Sequence, residues 1–85
     1  MSRFRVSLRV MPRQGILDPQ GTAVTGALRA LGFAAVHDTR VGRHIVVDLD
    51  AHDADAAREE VRRMCERLLA NPVTEDFHLD EVEGV

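Results

Sequence analysis

The octapeptide DLDAHDAD, residues 48–55, places Asp48, Asp50, Asp53, Asp55 and His52 close enough in sequence to offer oxygen ligands to one hard cation. A calcium loop also needs a central glycine and a closing glutamate at fixed spacing, and both are missing. Acidic residues where a strand ends and a helix begins cap the helix and complement its dipole, and that is the reading adopted. GTAVTGAL, from Gly21, sets Gly21 and Gly26 at P-loop spacing. Ala27 and Leu28 stand where that loop needs Lys and Ser or Thr, so bound phosphates would lack their cation, and the glycines are read as structural.

Cys65, beside Met64 on an apolar stripe, is expected to be a buried thiol, since a reactive thiolate needs a basic or helix N-terminal setting. His37 and His44 are expected to flank a hairpin, but two histidines without a third ligand make a poor metal site. Arg40 and Arg43 around Gly42 are the cations best placed to meet an anion or a partner carboxylate, with a solvated turn as the plainer reading. No nucleophile with a base beside it is visible.

The elements that must position these groups follow from periodicity. From Arg3 to Met11, Phe4, Val6, Leu8 and Val10 alternate with Arg3, Arg5, Ser7 and Arg9, a half-buried strand. Asp18 is the expected N-cap and Pro19 the first residue of a helix running to about Leu31. Its stripe is Val24, Leu28 and Leu31, and Gly32 is expected to close it in the left-handed region. Gly21 and Gly26 inside it predict close backbone approach.

FAAVHDTR (33–40) and RHIVVDLD (43–50) read as two strands joined by a hairpin in which Gly42 takes a positive φ. A second helix is expected from Asp53 or Asp55 to about Ala70, with Ala57, Val61, Met64, Cys65 and Leu68 inward, and with Asn71 at C′ and Pro72 stopping it. A last strand runs from Val73 to about Val82. The order βαββαβ predicts an α+β, ferredoxin-like domain over residues 1–85. Both helices are expected on one face of a four-stranded antiparallel sheet, with the first and last strands adjacent. Arg3, Arg5 and Arg9 are then expected to pair with Asp76 and Asp80.

Composition narrows the function. The 85 residues carry 14 acidic and 11 basic side chains, a formal charge of −3, which gives no positive field for nucleic acid. One cysteine excludes an internal disulfide and fits a reducing cytoplasm. No stretch approaches the length of a membrane span or a signal peptide, so a soluble chain without a leader is expected. A chain this short builds a modest core, which favours association with itself or a partner.

Three segments in order, GILDPQGTAVTGALRALGF (15–33), DTRVGRHIVVDLD (38–50) and MCERLLANPVTEDF (64–77), closely resemble the PurS family, the small subunit of bacterial and archaeal phosphoribosylformylglycinamidine synthase. The resemblance implies a chain without an active site of its own. In that family a PurL synthetase uses ATP and magnesium, a PurQ glutaminase releases ammonia from glutamine, and PurS dimers join the two so that ammonia passes between them. The cofactors would thus sit on the larger subunits. The family-typical residues here are Gly15, Leu17, Asp18, Pro19, Gln20 and Gly21, then Arg40, Gly42 and Arg43, and then Asn71 and Pro72. These, Leu17 apart, are the ten candidate partner-interface positions.

Arg43 stands where the family commonly has lysine, and Arg13-Gln14-Gly15 replaces its Lys-Pro-Gly. The bare first turn at Gly21 is expected to offer N–H groups to a neighbouring subunit. Two other readings share the element order. One is an ACT-like amino-acid sensor with the loop Gln14-Gly15-Ile16-Leu17 as its site. The other is an acylphosphatase-type enzyme, for which Arg13 is the sole phosphate-cradle candidate and Asp18 would repel the anion.

Overall fold

A computed structural model describes residues 1–15 and 18–85, so the expectation attached to Leu17 lies outside the described residues. The order is β1 (Ser2–Pro12), α1 (Pro19–Ala30), β2 (Arg43–Ala51), α2 (Ala54–Met64) with a π-helical turn at Cys65–Leu69, and β3 (Glu75–Gly84). The three strands form one antiparallel sheet in the order β2-β1-β3.

Strand β1 is central because its alternation serves two neighbours at once. Val6, Leu8 and Val10 point to one face and are completely buried, opposite Val47 and Ile45 on β2 and Val82, Leu79 and Phe77 on β3. Across from them α2 contributes Ala57, Val61 and Cys65, also fully buried. Burying a Val or Leu side chain contributes about 1.5–3 kcal/mol, so this small cluster holds the fold. The Asp53 carboxylate caps α2 by accepting the Ala56 N–H at 2.8 Å, and Asp55 in its first turn pairs with Arg58.

The other face of β1 is polar. Arg5 meets Asp48 at 2.9 Å, Arg3 meets Asp50 at 3.5 Å, Arg9 meets Asp80 at 3.0 Å and Arg13 meets Asp76 at 3.1 Å. Of the expected pairings, only that of Arg9 with Asp80 forms as proposed. Arg3 and Arg5 turn instead to β2, where Asp48 and Asp50 stand directly opposite them. Those two acids of DLDAHDAD therefore bridge strands, while Asp53 and Asp55 serve the helix.

Four expectations are corrected. The first concerns 33–40, which forms no strand, so the sheet has three strands, not four. Residues 31–36 instead finish α1: Gly32, at φ 101°, donates to the Arg29 carbonyl, Phe33 donates to Leu28, and the Arg29 Nε reaches the Val36 carbonyl at 2.8 Å. That is a Schellman cap, and it uses the backbone groups a strand would need.

The second concerns the hairpin at Arg40–Arg43, which is absent together with the positive φ at Gly42. His37 and His44 consequently do not face each other. The third concerns α1, which does not lie on the sheet. No residue of it enters the core, and Leu31 remains 74% exposed. The chain is accordingly long, 52 × 26 × 14 Å, with a radius of gyration of 16.4 Å, against about 12 Å for a compact domain of this length.

The fourth concerns Leu68. In the π-helical turn the Ala70 N–H reaches back five residues to Cys65. The inserted residue rotates Leu68 out to 83% exposure and brings Leu69 and Ala70 inward. The last strand also starts two residues later than expected, at Glu75, because Asn71 organises a turn. Its Oδ1 accepts the Val73 N–H, and its carbonyl accepts those of Thr74 and Glu75.

Candidate functional site

Strand β1 ends, β2 begins and α2 runs out at the same end of the sheet, and the helix α1 leaves from there. The described parts of three connections, 12–15 with 18–21, 38–43 and 69–75, interlock at this root. The Asp18 carboxylate spans two of them: Oδ1 accepts the Gly21 N–H at 3.0 Å, and Oδ2 accepts the Val41 N–H at 3.1 Å. These bonds, Gly21 first and Val41 next, hold the Asp18 carboxyl below the ordinary carboxylate range, with the charge of Arg40 adding to them.

Both glycines at the root are required by close approach. A Cβ on Gly21 would run into the Thr39 carbonyl and the Asp18 carboxylate, and one on Gly42 would run into the Met11 Sδ and the Val10 carbonyl. The bare first turn of α1 is therefore not left open for a neighbour; the return segment of the same chain fills it. Gly26 has nothing within 4 Å of its Cβ position, so the close approach expected there does not occur.

The arginines are engaged within the chain. The Arg40 Nη1 donates to the Pro12 carbonyl at 3.1 Å. The Arg43 Nη2 donates to the Leu69 carbonyl at 3.0 Å and to Glu75 Oε1 at 2.8 Å, and the same Glu75 oxygen accepts the Asn71 N–H. Arg13 ties in the third connection through the Pro72 carbonyl, and its own N–H reaches the Thr74 carbonyl.

Nine of the ten candidate positions thus meet at the root, with Gln20 lining its cleft. Gly15 does not join them: it sits in an exposed turn at φ 84° with open space about its Cβ position. Sequence reasoning missed Thr39, Val41 and Glu75, which contribute a carbonyl, an N–H and a carboxylate. Only Glu75 carried a signal, as an acid four residues beyond the helix-stopping Asn71.

An open cleft of about 460 Å³ lies over the root, lined by Pro12, Asp18, Pro19, Gln20, Arg43 and Glu75 among others. Its charged groups are already matched by backbone and by one another. The Cys65 thiol is buried, and burial pushes its pKa up. Among the described residues no cluster of His, Cys, Asp or Glu could hold a metal ion, and no helix is long and apolar enough to cross a membrane. What this geometry does is tie the base of α1 to the end of the sheet and leave a polar, notched end exposed.

That end carries the motifs by which the chain resembles known proteins. A family model described as PurS, phosphoribosylformylglycinamidine (FGAM) synthase, matches residues 5–83. The phosphoribosylformylglycinamidine synthase subunit PurS of Bacillus subtilis is 39% identical over 82 residues, covering 96% of this chain and 95% of its own. The PurS structure from Thermus thermophilus superposes with a TM-score of 0.83 at 37% identity, covering 98% of both chains. A chain of the PurLQS structure from Thermotoga maritima matches over 100% of both chains, with a TM-score of 0.81 and 32% identity. With sequence, family model and fold in agreement over nearly every residue, the chain belongs to the PurS family, the PurS subunit of the FGAM synthase of purine biosynthesis.

Proposed function

We propose that this chain is the assembly subunit of a glutamine-dependent FGAM synthase, joining a PurL synthetase to a PurQ glutaminase so that ammonia released by one reaches the other. The observation that carries this reading is the match, end to end, with a chain of the PurLQS structure. In this reading ATP, magnesium and glutamine bind the larger subunits, this chain holds no cofactor, and the complex works in the cytoplasm.

The chain is also proposed to associate with itself, as a dimer or tetramer. The root of α1, with Asp18, Pro19, Gln20, Arg40, Gly42, Arg43, Asn71 and Pro72, together with the exposed turn at Gly15 outside it, is the proposed contact region for the larger subunits. Its rigid notch suits docking, since a pre-ordered surface loses little freedom on binding. The alternatives of an amino-acid sensor and of an acylphosphatase are not favoured, because the relatives over nearly the whole chain are FGAM synthase subunits.

Reconstitution tests the proposal. Mixing PurL and PurQ with and without this chain should give amidine formation from glutamine only when the chain is present, while formation from added ammonium salt persists without it. Equal glutamine-dependent rates in the two mixtures would refute the assembly role.

A further inference from the structure

We propose that the π-helical turn ending α2 presents Leu68 and Arg67, with Val73 beyond the turn that follows, as a docking knob for a larger subunit meeting the root, and that its socket there is apolar with a carboxylate on the rim. The inference rests on the assembly role proposed above and names side chains that carry the contact.

The knob exists because the helix changes pitch. Val61, Met64, Cys65 and Leu68 continue one helical stripe, and an unbroken α2 would turn Leu68 toward the sheet with them. The bond from the Ala70 N–H to the Cys65 carbonyl, five residues back, widens the last turn instead. Such turns are frequent at functional sites. Leu69 and Ala70 take the inward places, Leu68 is left 83% exposed, and Val73, beyond Asn71 and Pro72, is 73% exposed.

The backbone beneath both side chains is pinned. The Leu69 carbonyl accepts from Arg43 Nη2 at 3.0 Å, the Pro72 carbonyl accepts from Arg13 Nη2 at 2.8 Å, and Glu75 Oε1 accepts the Asn71 N–H at 2.8 Å. The stretch that carries Leu68 and Val73 is thus tied to all three strands, and a contact made on it costs little further ordering. Asn71 and Pro72, between the two in sequence, already belong to the proposed contact region, so knob and notch form one continuous surface.

Charge says what the socket carries. The 11 basic side chains are all arginines, and among the described residues every one but Arg67 meets a carboxylate or a carbonyl of its own chain. Glu66, next to it, lines the cleft between the end of α2 and β3 and does not pair with it. Arg67 precedes Leu68 on the exposed side of the turn. A partner that covers Leu68 therefore takes part of the Arg67 guanidinium out of water, which is costly without a counter-charge. A carboxylate on the rim removes that cost and selects this partner over others.

Reconstitution with PurL and PurQ at fixed concentrations tests the knob, this chain being titrated until glutamine-dependent amidine formation saturates. Leu68→Ser and Arg67→Glu should each raise the half-saturating concentration at least about tenfold, the scale of one lost interface hot spot, while formation from ammonium salt stays as it was. The Arg67→Glu effect should shrink between about 0.05 M and about 0.5 M salt, and the Leu68→Ser effect should not. Both side chains lie outside the core, so both variants should keep the wild-type circular dichroism spectrum. An unchanged half-saturating concentration for either variant overturns the knob and leaves the assembly role standing. So does a change in the mass of the chain by itself, by sedimentation equilibrium, in Leu68→Ser, which would assign Leu68 to contacts between copies. A wild-type chain that supports no glutamine-dependent formation overturns the assembly role and the knob with it.

Discussion

Asp18 and Val41, 23 residues apart, are joined by a 3.1 Å hydrogen bond from the Val41 N–H to Asp18 Oδ2, while the other carboxylate oxygen caps α1. One side chain thus starts the helix and anchors its return. Asp18→Asn separates the two tasks, because the amide keeps one acceptor oxygen for Gly21 and puts an N–H₂ where the Val41 donor needs an acceptor. Amide hydrogen exchange at Val41 is expected to quicken roughly tenfold, the scale of one lost hydrogen bond, with Gly21 little changed. Equal protection at Val41 in the two proteins would contradict the anchor.

The same carboxylate predicts a pH dependence. Its pKa is lower in the folded chain than in the unfolded one, because the Gly21 and then the Val41 N–H favour the charged form. The stabilisation is therefore complete above the unfolded value, about pH 4, and is lost as pH falls through the depressed folded value. Thermal melts should show wild type above Asp18→Asn by a constant margin from about pH 7 to about pH 5 and a shrinking one below about pH 4. A margin that stays level throughout would count against this account.

Substitution of the root glycines should be costly for steric reasons alone. Gly42→Ala and Gly21→Ala each push a methyl group into backbone, and overpacking of this kind destabilises by about 1–3 kcal/mol. Gly84→Ala, with open space about its Cβ position, should stay within about 0.5 kcal/mol of wild type. Urea midpoints for the three variants measure the contrast, and a Gly42→Ala midpoint equal to that of Gly84→Ala would show that the root yields.

In the core, Leu8 is the largest fully buried side chain, held between both neighbouring strands and α2. Leu8→Ala is expected to cost about 2–5 kcal/mol, enough to leave much of a chain with so small a core unfolded at 37 °C. A circular dichroism melt close to wild type would mean that the core tolerates the cavity.

Much of this was readable in the residues themselves. The alternation of β1, the Asp18-Pro19 start, the Gly32 stop and the amphipathic stripe of α2 through Cys65 are local signals, and each element forms where its signal stands. The failures are cases in which something distant decided. A strand pattern at 33–40 needs a neighbouring strand to pair with, and here those backbone groups close the end of α1 and follow its root.

On β3 the strict period of two fails because Asp80 is an additional residue: Ser7 faces Glu81 and Leu8 faces Leu79. That bulge lets Leu79 and Val82 share the inner face although they stand three positions apart, an odd spacing. The root was half visible. Its glycines and Asp18 stood out by type, but the Thr39 carbonyl and the Val41 N–H belong to backbone, which every residue has.

The arginine ladder on the outer face has a kinetic meaning. Arg3, Arg5, Arg9 and Arg13 each have a carboxylate within 3.5 Å, so opposite charges cancel within a fraction of the roughly 8 Å over which physiological salt screens them. Seen from a distance, those four pairs contribute little field of either sign, and what that side presents is the negative charge of Glu81 and Glu83 on β3. Cationic molecules approaching it are weakly drawn in and anionic ones weakly turned away, a bias that salt removes, and capture there is otherwise decided by fit at contact.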